Sequence, residues 1–161
     1  VLYPKQDGDL SAFVGWLTNT HTRRWHVSKN TVGEGHLYQG RYKSFICQKD
    51  SHFLTLVRYV ERNARQANLV KKAESWKWSS VWCRLHGTSR QKKMLSAWPL
   101  DPPRAYLAWL NKPQAEKEEK ALESAMQKGS PFGEKSWMNK VVKKYHLEST
   151  LRFPGRPKKG G

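Results

Sequence analysis

Apolar residues recur at helical intervals over most of this chain and at strand intervals in one stretch. Leu10, Phe13, Val14 and Leu17 fall at i, i+3, i+4 and i+7, which predicts a helix running from an Asp9 cap to about Trp25. Asn30 to Gly35 reads as a loop, broken by Gly33 and Gly35. From His36 to Gln48 the pattern changes to aromatic and β-branched residues, Tyr38, Tyr42, Phe45 and Ile46, with Gln39, Arg41 and Lys43 alternating onto one face. That stretch predicts a strand, with Gly40 marking a bulge or a close backbone approach.

The strongest periodicity follows. Asp50 or Ser51 can cap a helix whose apolar stripe is Phe53, Leu56, Val57, Val60, Ala64 and Ala67. Tyr59, Asn63 and Gln66 flank the stripe at i, i+4 and i+7, and Arg58, Arg62 and Arg65 add three cations. Ser79 or Ser80 can cap a short helix holding Val81, Trp82 and Leu85, and Gly87 to Lys93 reads as a basic linker. Further helices are expected over Arg104–Leu110, over Ala115–Lys128 and around Trp137, Val141, Val142 and Tyr145. The acids Glu116, Glu118, Glu119 and Glu123 are expected to form a solvated face. No internal repeat is present.

Composition changes the picture in one direction. Thirty Lys and Arg against 13 Asp and Glu leave a formal charge of +17 over 161 residues, far more than solubility needs. Such a field draws polyanions, because each neutralised phosphate releases condensed counterions. With 37% hydrophobic residues and 8 Trp the chain can bury a core. No apolar run approaches the ~18 residues of a membrane span, so the charge points to nucleic acid and no membrane partner is expected. Cys47 and Cys83 form no CxxC pair and fit free thiols in a reducing, cytoplasmic setting.

A tyrosine hydroxyl has a reference pKa near ~10 and is a weak nucleophile alone. Arginines, a metal and an oriented phosphate can each favour its phenolate. On a helix flank a tyrosine commonly packs or hydrogen-bonds, and periodicity alone gives Tyr59 that role. Arg58, Arg62 and Arg65 read as phosphate contacts, because few acids lie near them in sequence. Gln39, Arg41 and Lys43 can line a DNA-facing surface or be merely solvated. Trp76-Lys77-Trp78-Ser79-Ser80 is expected to close the core behind the Tyr59 helix, base stacking being the alternative.

The run His52-Phe53-Leu54-Thr55-Leu56-Val57-Arg58-Tyr59-Val60-Glu61-Arg62-Asn63 closely resembles the catalytic helix of single-tyrosine HUH transposases, in particular the REP-associated tyrosine transposases. Gly8-Asp9-Leu10 through Arg24-Trp25-His26, His36 through Phe45, and Trp76-Lys77-Trp78-Ser79-Ser80 resemble further family segments in the same order. The tail, Leu147 to Arg152 with Gly155-Arg156-Pro157-Lys158, is similar to that branch's C-terminal extension.

The resemblance implies an α+β fold: the helix–strand–catalytic-helix part of a ferredoxin-like palm over residues 1–87, a linker and charged helix over 88–128, and a basic DNA-binding extension over 129–161. It implies Tyr59 as nucleophile on single-stranded or hairpin DNA, forming a 5′-phosphotyrosine and a free 3′-OH. Asn63 would be a ligand of Mg²⁺ or Mn²⁺. Arg152, Arg156, Lys158 and Lys159 would hold hairpin phosphates; Gly155-Arg156-Pro157-Lys158-Lys159 also resembles an A·T-groove insertion element, with phosphate binding without base readout as the expectation.

The family's His-hydrophobic-His pair is absent from the sequence, whose histidines are residues 21, 26, 36, 52, 86 and 146. Val1-Leu2-Tyr3-Pro4 resembles the segment that follows that strand in the family, so the pair is expected upstream of Val1. This chain by itself is then expected to bind metal poorly. The competing expectation is a non-catalytic, basic nucleic-acid-binding protein, monomeric or dimeric.

Overall fold

The computed structural model describes residues 1–152. Its regular structure is helical, and the expected ferredoxin-like α+β palm is overturned: no β-sheet forms among the described residues. The chain divides into two compact units, one spanning Val1–Lys43 and the other beginning at Ser44. Among the described residues no helix is long and apolar enough to cross a membrane.

In the first unit α1 runs Asp9–Lys29, one turn beyond the expected end. Asn30, in the left-handed conformation at φ 55°, stops it and returns its N–H to the carbonyls of His26 and Val27. Asp9 is the first helical residue and does not cap the helix; its carboxylate accepts from the N–H groups of Lys5 and Gln6 at 3.1 and 2.9 Å. The stretch expected to be a strand lacks a ladder. Gly40 turns the backbone at φ 85°, and Tyr38 and Tyr42 pair by their hydroxyls with His21 Nδ1 and Ser11 Oγ, both at 2.7 Å. Aromatic strand formers here serve as hydroxyl anchors to α1, and a strand without a neighbour to pair with leaves its backbone groups to water.

The second unit is built around α2, Ser51–Gln66. Asp50 caps it, accepting from the His52 N–H at 2.9 Å, as the sequence pattern predicts. Short α3 (Ser80–His86) begins at the Ser79 cap, and α4 (Ser89–Lys92) forms within the expected linker through a Thr88–Gln91 capping box. Next come α5 (Tyr106–Asn111), α6 (Glu116–Lys128) and α7 (Lys135–Tyr145).

Two apolar clusters hold the unit. Leu56, Leu122, Ala125 and Phe132 form one, with Phe45, Cys47 and Tyr59 against it. Ala73, Val81 and Leu110 form the other, with Tyr106 and Leu107. Full burial of Leu110 or Leu122 contributes about 1.5–3 kcal/mol each.

The 44–48 stretch closes the first cluster by one isolated parallel bridge between Cys47 and Phe132. Gln48 N–H donates to Phe132 O at 2.9 Å, and Phe132 N–H donates to Ile46 O at 2.8 Å. Gly129 ends α6 at φ 68°, a conformation that favours glycine, and turns the chain into this bridge. At Gly133 the approach is so close that a Cβ would lie 2.5 Å from both Gln48 Oε1 and the Trp137 ring.

Candidate active site and nucleic-acid surface

Tyr59 and Asn63 stand one turn apart on α2, held by the Asp50 cap below and apolar packing beside them. The Tyr59 ring is half-buried against Leu56, Leu122, Ala125 and Phe132. Its hydroxyl has no hydrogen-bond partner among the described residues. Asn63 is exposed and its amide is likewise unpartnered there. The amide lines an open cleft of about 380 Å³ between α2 and the 76–80 segment, with Val60, Ala67, Leu69, Trp76 and Trp78 among its walls.

Glu61, an acid buried on the same helix, was hidden to a reading by composition. It is 2% exposed, and its two carboxylate oxygens accept from Ser80 Oγ and Tyr106 Oη, each at 2.5 Å. The buckle joins α2, α3 and α5. Burial pushes the Tyr106 phenol well above its ordinary range, and the charge and hydrogen bond of Glu61 add to this. A signal for Glu61 existed: Val57, Glu61 and Ala64 fall at i, i+4 and i+7, which puts an acid on the buried stripe.

The three arginines of α2, expected as phosphate contacts rather than salt-bridge partners, each reach a partner within the fold. Arg58 is 6% exposed; its Nη2 donates to Lys112 O and Pro113 O at 2.9 and 3.1 Å, and its Cζ lies 4.4 Å from the Trp109 ring centroid. Burial pulls its pKa below the ordinary range, opposed by Glu118, reinforced by Arg62 and opposed again by Tyr106 and Glu119. A guanidinium keeps its proton even so.

Arg62 reaches Glu119 at 3.5 Å, so one member of the expected solvated acidic face is an internal partner. Arg65 Nε donates to Lys71 O at 3.1 Å. Arg65 also edges a hollow of about 410 Å³ together with Lys71, Lys72, Glu74 and Asn111.

Gln39, Arg41 and Lys43 are exposed in the first unit, and Arg152 is exposed after the 3₁₀ turn Glu148–Leu151. Arg156, Lys158 and Lys159 lie outside the described residues. Trp78, expected to help close the core, is 74% exposed, with Lys77 Nζ 4.8 Å from its ring centroid.

The side chains around Asn63 do not fit a divalent metal. Besides Asn63 the polar walls of the cleft are Glu61, Ser79 and Ser80, and all three already hydrogen-bond within the fold, Glu61 accepting two hydroxyls. His52, two turns before Tyr59, has its Nδ1 engaged by Asp50 Oδ1 at 2.8 Å and its ring edge-on to Phe132. Among the described residues no three His, Cys, Asp or Glu side chains gather.

Cys47 is not a rival nucleophile. Burial first, and the Asp50 charge second, push its thiol up to about 11, so it stays protonated near neutrality. No family model, no curated protein and no solved structure matches this chain.

Proposed function

We propose that this chain takes part in transposase-type cleavage and rejoining of single-stranded DNA beside hairpin repeats, with Tyr59 as the nucleophile. The observation that carries this reading is the pair of uncommitted groups on α2. A phenol and an amide stand one turn apart on a helix fixed by its cap and its core, and neither has a partner among the described residues. The ordered motifs around them and the +17 charge support the same reading.

In the step derived from these residues, Tyr59 Oη attacks a backbone phosphorus. The P–O3′ bond breaks, the phenol proton passes to solvent, and the departing 3′ oxygen takes up a proton. The strand end is then a 5′-phosphotyrosine, and attack by a 3′-OH reverses the step to rejoin the strand. Asn63, one turn on, donates its amide N–H to a non-bridging phosphate oxygen and holds the phosphate over the phenol. The residues present do not build a metal site, so no part of this step runs through a metal.

A hairpin-flanked single strand carrying sulfur in place of the scissile 3′ oxygen tests the assignment, because a thiolate leaves without help from a metal. The chain is expected to form an SDS-stable covalent adduct with it, and Tyr59→Phe none. An adduct of equal yield from Tyr59→Phe would sink the assignment.

A second reading, binding of nucleic acid without chemistry, is favoured by the packing of the Tyr59 ring against the first apolar cluster, which gives that residue a structural role. It predicts binding to the same strand and no adduct from either protein.

A further inference from the structure

The cleft beside Asn63 combines features that scaffold packing does not account for. Trp78 is 74% exposed, although a tryptophan of the same segment, Trp76, is half-buried. Its indole forms one wall of the cleft, with Val60, Ala67 and Leu69 supplying further apolar surface and Asn63 an unpartnered amide. Lys77 Nζ lies 4.8 Å from the Trp78 ring centroid, so a cation sits against the platform itself. Ser79 and Ser80 already use their hydroxyls within the fold, Ser79 toward Trp76 O and Trp82 N and Ser80 toward Glu61. The cleft therefore presents a flat aromatic wall, a single free amide and a nearby positive charge, and its one carboxylate, Glu61, is buried and occupied by the Ser80 and Tyr106 hydroxyls. Its volume of about 380 Å³ lies at the low end for ligand sites and suits one planar group.

From this combination we infer that the cleft receives one unpaired nucleobase, stacked on Trp78. This rests on the reading of the chain as a handler of single-stranded DNA and adds a subsite to it. A phosphate held by the Asn63 amide puts the attached nucleotide at the cleft, because Asn63 is part of its wall. The base lies against the open part of the indole, and Lys77 meets the next phosphate. Stacking of this kind accepts any base, since every base has a π-face. The subsite thus favours unpaired strands over duplex, whose bases are already stacked on each other.

The experiment compares a labelled single strand of mixed sequence with an abasic strand of the same number of phosphates, by fluorescence anisotropy at one fixed salt concentration. The unaltered chain is expected to bind the base-bearing strand about tenfold more tightly. Trp78→Ala is expected to abolish that preference while leaving the abasic affinity unchanged, and Trp78→Phe to keep most of it. Because Trp78 is largely exposed, its replacement leaves the far-ultraviolet circular dichroism unaltered.

Retention of the preference in Trp78→Ala overturns the inference, as does an equal loss of affinity for both strands. If the unaltered chain binds the two strands equally, the subsite is refuted while the nucleic-acid reading stands. If it binds neither strand, both fall.

Discussion

Glu61 shows what one buried carboxylate can organise. It accepts hydroxyls from two other helical segments, so its removal leaves Ser80 and Tyr106 without an acceptor inside the fold. Glu61→Ala is expected to cost roughly 3 kcal/mol in chemical denaturation, and Glu61→Gln less, because the amide oxygen still accepts one hydroxyl. Burial of the Tyr106 phenol, with the charge and hydrogen bond of Glu61 added, fixes a pH dependence. The folded state raises the Tyr106 pKa above its unfolded value, so it holds the proton more tightly than the unfolded chain. The associated stability is complete below about pH 10 and is lost as pH rises beyond that. Urea midpoints should fall across this alkaline range, and the fall should be smaller in Tyr106→Phe.

At the scale of elements, side-chain caps mark the starts of α2, α3 and α4, whereas α1, α5, α6 and α7 begin without one. Asp50→Ala removes the acceptor at the start of α2, and with it the partner of the His52 ring; a loss of about 1 kcal/mol is expected in the denaturant midpoint. This helix was legible in the sequence from its Asp50 cap and from Leu56, Val57 and Ala64, although Val60 and Ala67 of the expected stripe are exposed and Arg58 and Glu61 are buried. So were α3, with its Ser79 cap, and α6 and α7, whose existence follows from their periodicity.

The 36–48 stretch departs from its strand pattern for a physical reason. Strand propensity describes a residue on a paired, half-buried surface, and pairing is supplied by other parts of the chain. Here the pairing amounts to one bridge to Phe132, and the tyrosines bond to α1. The arginines of α2 show the same limit. Their spacing was readable, but the Lys112 and Pro113 carbonyls and the Glu119 carboxylate come from segments about fifty residues away, which intervals along one helix cannot reveal.

Over the whole molecule the charge of +17 is not uniformly available. Arg58 is enclosed by carbonyls and Trp109, whereas Arg41 stands exposed. Affinity for a single strand should fall steeply with salt, and the slope of log K against log salt reports how many phosphates are neutralised. Arg41→Gln is expected to flatten that slope by about 0.7 for single-stranded DNA. Arg58→Gln should leave the slope unchanged while lowering stability by about 2 kcal/mol, since a buried charged donor is lost. An unchanged slope for Arg41→Gln would remove that residue from the binding surface.

The Cys47–Phe132 bridge also sets a timetable. Ribosomes deliver the chain from its N-terminus, so Leu56 emerges long before Leu122, Ala125 and Phe132, the residues that cover it. At ordinary elongation rates the interval is on the order of ten seconds. For that time the nascent α2 segment carries an uncovered apolar side while still tethered to the ribosome. A trigger for premature association is thus built into the order of synthesis, and nascent chains stalled before residue 122 should be the species that chaperones engage.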